Sequence, residues 1–447
     1  MIENTQATLE FPSVRGKNII ADFKGGIVTS DAGLLFLRAT ESAVGIIRRV
    51  SDCIADCRRQ SHIGHTMREL ITQRVMQIAC GYEDADDSDA LRTDPALKIA
   101  CGRAPISGDD LGSQPTMSRL ENSVSRTTLY RIGQAFVDSF IRSYKRRPDK
   151  IILDIDDTDD PTHGAQQLSL FNNYYGQYCY MPLHIYEGYS GKLVLSVLRP
   201  GKRPCGQEVA AILGRVIERI RQSWPHVRIV IRGDSHFSSP QLFSLCASMR
   251  KVHFVTGLSG NRVLLPLVED AVKKVEDAYK QVHEKLKVFV EFPYQAASWS
   301  RPYRVVCKIE VSEQGKNVRF IVTDMNGMGP QRMYDEGYCA RGAMENYIKN
   351  HKTFLHSDRT SCHTFVANHF RLLLHSAAYV LMHALNEKGL RGTQFSGSQF
   401  DTIIIRILKI GATIVERLSQ IRIHLPSSCP VKSLYGRVHR NLICCTT

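Results

Sequence analysis

Two apolar, β-branched runs that each end in an acid, "KIILDIDDT" at residues 150–158 and "VRIVIRGD" at 227–234, constrain this chain most. Runs of this kind read as strands. Neighbouring strands of one sheet bring their ends close together, so Asp156 and Asp234 can meet. Two such carboxylates offer hard oxygen ligands with open positions, which suits Mg²⁺ or Mn²⁺, and a pair of ions can clamp the attacking and leaving oxygens of a phosphodiester. Singly, each Asp reads as a strand-end or capping residue; a third acid is needed to raise the pair above that. Asp154 is the main rival to Asp156, because alternate strand residues share a face while Asp157 points away.

The period of the surrounding sequence predicts strand, strand, strand, helix, strand, helix, strand through about Leu258, an α/β pattern. "QYCYMPLHIYEG" and "GKLVLSVLRPG" are the second and third strands, and "VHFVTGL" is the last. A charged helical stretch follows, and then "KVFVEFPYQ", "YRVVCKIEVS" and "VRFIVTDM" read as a strand-rich insertion. From Gly337 the pattern turns helical. Before the first acid, apolar residues recur at helical spacing from Glu41 to about Lys145, where Thr116, Ser118 and Arg119 in "QPTMSRLEN" could open a helix and touch a DNA backbone or simply cap it. A basic tail with Arg422, Lys432, Arg437 and Arg440 closes the chain.

The third acid comes in "YCARGAMENYIKNHK", where Tyr338, Arg341, Glu345 and Lys352 stand at offsets of 0, 3, 7 and 14. On a regular helix these fall within about 60° of arc, so one face presents a carboxylate flanked by an aromatic ring and two cations. A solvated face of weakly paired charges is the bland alternative. The net charge of +14 favours an anionic polymer as partner, nucleic acid first. Neither the N-terminal stretch nor "TIIIRILKIGATIV", broken by Arg406 and Lys409, reads as a signal peptide or a membrane span, so a cytoplasmic protein is expected. Cys53, Cys57, His62 and His65 match no standard zinc-finger spacing and are assigned no metal.

The pattern Y, two residues, R, three residues, E, six residues, K resembles the signature of insertion-sequence transposases of the DDE, RNase H-like superfamily, in the branch with an all-β insertion before the glutamate. "GYEDADDSDALRTDPALKIACGR", "LDIDDTDDPTHGAQQ", "RGDSHF" and "RILKIGATIVERLSQIRIHLPSS" are similar to segments of one subgroup, so the resemblance runs along most of the chain. It implies an RNase H-like mixed sheet core with a β-rich insertion domain and a helical N-terminal domain. The divisions expected are 1–145 (helical, DNA-binding), 146–258 (first part of the core), 259–335 (insertion), 336–400 (second part of the core) and 401–447 (basic tail).

The resemblance further implies that Asp156, Asp234 and Glu345 form a catalytic triad binding two Mg²⁺ or Mn²⁺ ions, with Asp156 preferred because it stands shortly before Thr158. Tyr338, Arg341 and Lys352 would contact phosphates near the cleaved end. Trp299, the lone tryptophan of the insertion, would stack on an extruded base, with Arg301 and Arg304 on the adjoining backbone. Partners would be the terminal inverted repeats and target DNA, bound by a dimer in a bacterial nucleoid. A nuclease that cuts without joining and a silent DNA-binding descendant are the rival functions. His184 and His236 are assigned no role.

Overall fold

A computed structural model of the chain describes residues 8–203 and 205–444; the ends of the first and last expected divisions lie outside these. Contacts divide the chain into two compact units. One comprises Val44–Cys57 and Arg119–His383, the other Met1–Ala43, Arg58–Ser118 and Ala384–Thr447.

The first unit is built on one eight-stranded sheet. After helix α1 (Arg126–Arg142) come β1 (Lys150–Asp157), β2 (Leu183–Glu187), β3 (Leu193–Val197), helix α2 (Gly206–Ser223), β4 (Arg228–Gly233), helix α3 (Pro240–Ser248) and β5 (Val252–Leu258). Helix α4 (Glu269–Val282) leads to β6 (Leu286–Tyr294), β7 (Tyr303–Ser312) and β8 (Gly315–Thr323). The order across the sheet is β6-β7-β8-β5-β4-β1-β2-β3. β1, β4 and β5 are parallel, while β2 and β3 are antiparallel to their neighbours. The five strands β1 to β5 thus lie in the order 3-2-1-4-5, the mixed sheet of the RNase H fold.

The expected insertion differs in one respect. Its strands β6 to β8 do not close into a separate module but continue the core sheet, β8 pairing antiparallel with β5. β5 would otherwise end the sheet as an exposed edge, and the added strands satisfy its backbone groups.

Both faces of this sheet are covered, as expected when parallel strands are joined through helices. Ile151, Leu153 and Ile155 of β1 face a core shared with Val137 and Phe140 of α1, Leu213 and Ile220 of α2 and Phe254 of β5. Ile152, Val230, Val255, Val306 and Ile321 face the opposite way, against Met333 and Tyr334. Asp154 and Asp156 alternate with the first set, so they share the second face.

The other unit contains the helix Met67–Ala79, which starts at a capping box: Thr66 Oγ1 accepts from the Glu69 amide and Glu69 Oε2 accepts from the Thr66 amide. The expected basic tail is folded into this unit. Ala412–Arg417 pairs with Gln420–His424 and with Val28–Thr29, and the helix Lys432–Ile443 buries Leu434, Val438 and Leu442. Its cations occupy the remaining positions of an amphipathic helix and hairpin, which a charge count alone reads as a tail. Among the described residues no helix is long and apolar enough to cross a membrane.

Candidate active site

β1 and β4 run parallel with Arg232 opposite Asp154, and this register carried two residues further sets Asp234 beside Asp156. Asp156 is the penultimate residue of β1 at 17% side-chain exposure, and Asp234 lies just past β4 at 33%. The Asp234 carboxylate caps the next turn, accepting from the His236 amide at 2.8 Å, and His236 Nδ1 stands 3.3 Å from its other oxygen.

The third component is a continuous helical run from Pro330 to Phe354. It is not a regular helix: turns with i→i+5 hydrogen bonds at Met333–Tyr338 and Asn350–Phe354 flank a tight turn at Cys339–Gly342 and the α-helix α5, Ala343–Lys349. Widened turns of this kind commonly mark functional sites. Because they shift the register, Tyr338, Arg341, Glu345 and Lys352 do not share the straight stripe that a regular helix gives.

Each of the four has its own place. Arg341 Nη2 donates to Asp156 Oδ2 at 2.7 Å. Tyr338 lies over the C-terminal end of β5, where a Cβ on Gly257 would stand 2.8 Å from its hydroxyl; only glycine leaves room for the ring. Lys352 Nζ donates to Thr158 Oγ1 at 3.1 Å and to Asp159 Oδ1 at 2.8 Å, just beyond the acids. Glu345 is exposed on α5, four residues and so about one turn after Arg341. The opposite side of α5 is anchored on the sheet by Met344, fully buried, and by Tyr347 against Tyr186 at 5.7 Å. Among the described residues no group of three or more His, Cys, Asp or Glu side chains is close enough to hold a metal ion, so Glu345 is not gathered with the two aspartates.

Asp154, the rival first acid, has a different fate. It is fully buried, and Arg232 grips it with two hydrogen bonds, Nε to Oδ1 at 2.5 Å and Nη2 to Oδ2 at 2.7 Å. Gly188 makes this possible, since a Cβ there would come within 2.6 Å of both partners. Both carboxylate oxygens of Asp154 are thereby committed, whereas Asp156 keeps one oxygen without a side-chain cation.

Burial pushes the Asp156 carboxyl up to about 7, with Arg341 opposing and the charges of Asp234 and Asp157 adding to the rise. The Asp157 carboxyl is raised too, by burial first, with His236 opposing and Asp234 adding. Asp157, the last paired residue of β1 opposite Leu183, thus feels the charge of Asp234 although strand alternation turns it away from Asp156. Asp156 and Asp234 offer carboxylate oxygens from adjacent strand ends, and a divalent cation relieves the burial and like charge that raise Asp156. Hard oxygen donors of this kind are the chemistry that Mg²⁺ or Mn²⁺ takes.

Trp299 lies elsewhere. It is 8% exposed and packs edge-on against Phe243, Tyr294 and Tyr303 at 5.2–5.7 Å, in the core on the face of the sheet opposite to Asp156. Arg301 is exposed with its guanidinium 5.0 Å over the Tyr303 ring, and Arg304 pairs with Glu291. The strands β7 and β8 instead present Lys308, Lys316 and Arg319 to a cleft of about 800 Å³ that Asp234, Tyr334 and Tyr338 also line. Polar residues alternating with apolar ones in "VCKIEVS" and "KNVRFIV" were the signal for this cationic face. His184 is buried and bonded to Ser196, a structural position.

The family described as transposase DDE domain group 1 matches residues 11–445 of the chain. No curated protein matches it. Among solved structures, the cryo-EM structure of a piggyBac transposase synaptic complex with hairpin DNA aligns with 12% identity and a TM-score of 0.43, over 85% of this chain and 80% of that one.

Proposed function

The chain belongs to the transposase DDE domain group 1 family, and on that premise we propose that it binds the terminal inverted repeats of an insertion sequence, cleaves the DNA at the element ends and joins the freed 3′-OH ends to target DNA. The observation that carries this reading is the pairing of Asp156 and Asp234 at adjacent parallel strand ends, with Arg341 reaching Asp156 from a separate helical run.

In this reading Asp156 and Asp234 hold two Mg²⁺ or Mn²⁺ ions, with Glu345 as the third carboxylate. Bound there, such ions activate a nucleophilic oxygen and stabilise the leaving one in an in-line displacement. Arg341 keeps Asp156 paired until DNA arrives, and its guanidinium then turns to a phosphate that it can grip in a fork. The Tyr338 phenol, its pKa raised by burial and by Asp234 against the opposing charge of Arg341, stays protonated and donates to a phosphate oxygen. Lys352 holds the Thr158–Asp159 segment and balances charge on the same backbone. The cleft with Lys308, Lys316 and Arg319 supports DNA as the partner, since cations along a groove track phosphates. Two element ends imply a dimer on DNA.

The test is cleavage and strand transfer on DNA carrying the sequence that flanks the gene, with Mg²⁺ or Mn²⁺, for the unaltered chain and for Asp234→Ala and Glu345→Ala. Joined products absent from both variants are expected, with DNA binding largely kept. Normal cutting by either variant refutes the triad. Cutting without joining identifies a nuclease, and binding without cutting identifies a silent DNA-binding protein.

A further inference from the structure

Between β1 and β2 the chain leaves the main sheet for a small one of three strands, Asp160–Pro161, Leu170–Asn172 and Gln177–Tyr180. Its register sets Phe171 opposite Tyr178, flanked by the pairs Leu170 with Cys179 and Asn172 with Gln177. Successive residues point to opposite faces, so the hairpin has an inner and an outer side. On the inner side Cys179 is fully buried and Gln177 Nε2 donates to Asp159 Oδ2 at 2.8 Å. On the outer side Phe171 and Tyr178 are 50% and 59% exposed and meet edge to face at 5.4 Å. The tip adds Tyr174, 84% exposed, edge-on to Tyr175 at 4.9 Å.

The tip is a defined turn. Asn172 Oδ1 accepts from the Tyr174 amide at 3.0 Å, the Gly176 amide donates to the Asn172 carbonyl at 2.8 Å, and Gly176 takes a φ of 66°. Open aromatic rings on a short, ordered hairpin cost the fold burial that it could use elsewhere, and contiguous exposed apolar surface marks an interaction site.

The position of these rings identifies the partner. Asp159, the inner anchor, follows Asp156 by three residues and also receives Lys352. Asn172 Nδ2 donates to the Gly201 carbonyl at 3.0 Å; the next two residues, Lys202 and Arg203, are exposed, and Arg203 Nη2 donates to the His236 carbonyl at 3.3 Å, two residues from Asp234. The hairpin is thus tied to both acid-bearing loops, with two cations between it and Asp234. The Tyr175 phenol is pushed up to about 12 by burial and by the charges of Asp159, Asp157 and Asp156, consistent with that closeness.

We propose that Phe171, Tyr174 and Tyr178 form a stacking platform for unpaired bases of the DNA strand that enters the Asp156–Asp234 site, with Lys202 and Arg203 on its phosphates. Flat rings accept any base, and flanking cations hold the backbone, the combination used to bind single strands without reading sequence. The inference rests on the reading of the chain as a DNA-cutting enzyme.

The test measures binding of the full chain, without divalent metal, to a blunt duplex and to the same duplex ending in a single-stranded overhang carrying 2-aminopurine. The unaltered chain should prefer the overhang and change the 2-aminopurine fluorescence. Tyr174→Ala combined with Tyr178→Ala should weaken overhang binding by about five- to a hundredfold and abolish the fluorescence change, whereas the corresponding Phe variants should keep both. Matching thermal melts check that the exposed positions leave the fold intact. Equal overhang binding by the Ala and unaltered chains overturns the platform. So does a shift from dimer to monomer in the Ala variant with overhang binding intact, which assigns the rings to a second copy of the chain. Preference for the overhang in a chain that never cuts keeps the platform and refutes the enzyme; cutting without that preference does the reverse.

Discussion

Replacing Asp154 should unfold the protein earlier, whereas replacing Asp156 should stop the reaction. Asp154 and Arg232 are 0% and 1% exposed and share two hydrogen bonds of 2.5 and 2.7 Å. Asp154→Ala leaves the guanidinium of Arg232 in the core, where it keeps a long contact of 3.4 Å from Nη1 to the Gly337 carbonyl. Stranding one member of a buried pair costs about 3–5 kcal/mol. In a unit of this size about 2 °C of Tm corresponds to each kcal/mol, so a fall of about 6–10 °C is expected by calorimetry. Asp154→Leu with Arg232→Met removes both charges and should recover most of the loss, because a buried ion pair is worth little over apolar residues of similar volume. Asp156→Asn should leave Tm within about 2 °C, since the pair it breaks with Arg341 is partly open to solvent, and should abolish cleavage. An Asp154→Ala chain that melts like the unaltered one but no longer cuts would refute this division and make Asp154 the catalytic acid.

Trp299→Ala should destabilise the chain by about 3–5 kcal/mol in denaturant titration, as truncation of a core aromatic does; unchanged stability would mean that the ring is not structural. Asp160 is 1% exposed, its two carboxylate oxygens have no hydrogen-bond partner among the described residues, and burial raises its carboxyl well above the usual range. A raised folded pKa means stability that is present below about pH 4 and lost as pH rises, so Asp160→Asn should be the more stable protein at pH 7–8, by about 1–3 kcal/mol, with the gain vanishing in acid. Burial lowers His184 to about 3, with the charge of Lys352 adding to the shift. The unfolded chain then takes up a proton below about pH 6.5 that the folded one refuses. Stability should therefore fall as pH drops from about 6.5 towards 3, by about 2 kcal/mol from this group at pH 5, and a urea series for His184→Asn should show the slope reduced by one proton.

The order of the core strands and helices through Leu258 was legible in the sequence because those elements are strongly periodic and because both acids end apolar β-branched runs; the small sheet between β1 and β2 was not, since its strands of two to four residues are too short for a period to show, and "QYCYMPLHIYEG", read as one strand, divides between that sheet and β2. Spacing suggested that Tyr338, Arg341, Glu345 and Lys352 share one helix face, and the resemblance to the transposase signature singled them out as a set. Their individual contacts could not be read, because the turns at Met333–Tyr338 and Asn350–Phe354 depart from the regular helix that spacing assumes. Strand period could not separate Asp154 from Asp156 either, since both point to one face. A residue on the neighbouring strand separates them: Arg232 lies 78 positions away and claims Asp154.

The same reason underlies the remaining differences. Period 2 states that β6 to β8 are strands, but which edge they pair with depends on backbone groups that β5 leaves open. Composition marks the last segment as basic, yet Leu434, Val438 and Leu442 fold it into the unit that holds the strand Val28–Thr29. Trp299 was singled out for being the tryptophan of the insertion, and the side of the sheet on which it falls sends it to the core. Local chemistry and periodicity, written in the sequence itself, determined the elements and the residues able to react; which of those residues meet was decided by pairing and burial between distant segments, whose energies no local window contains.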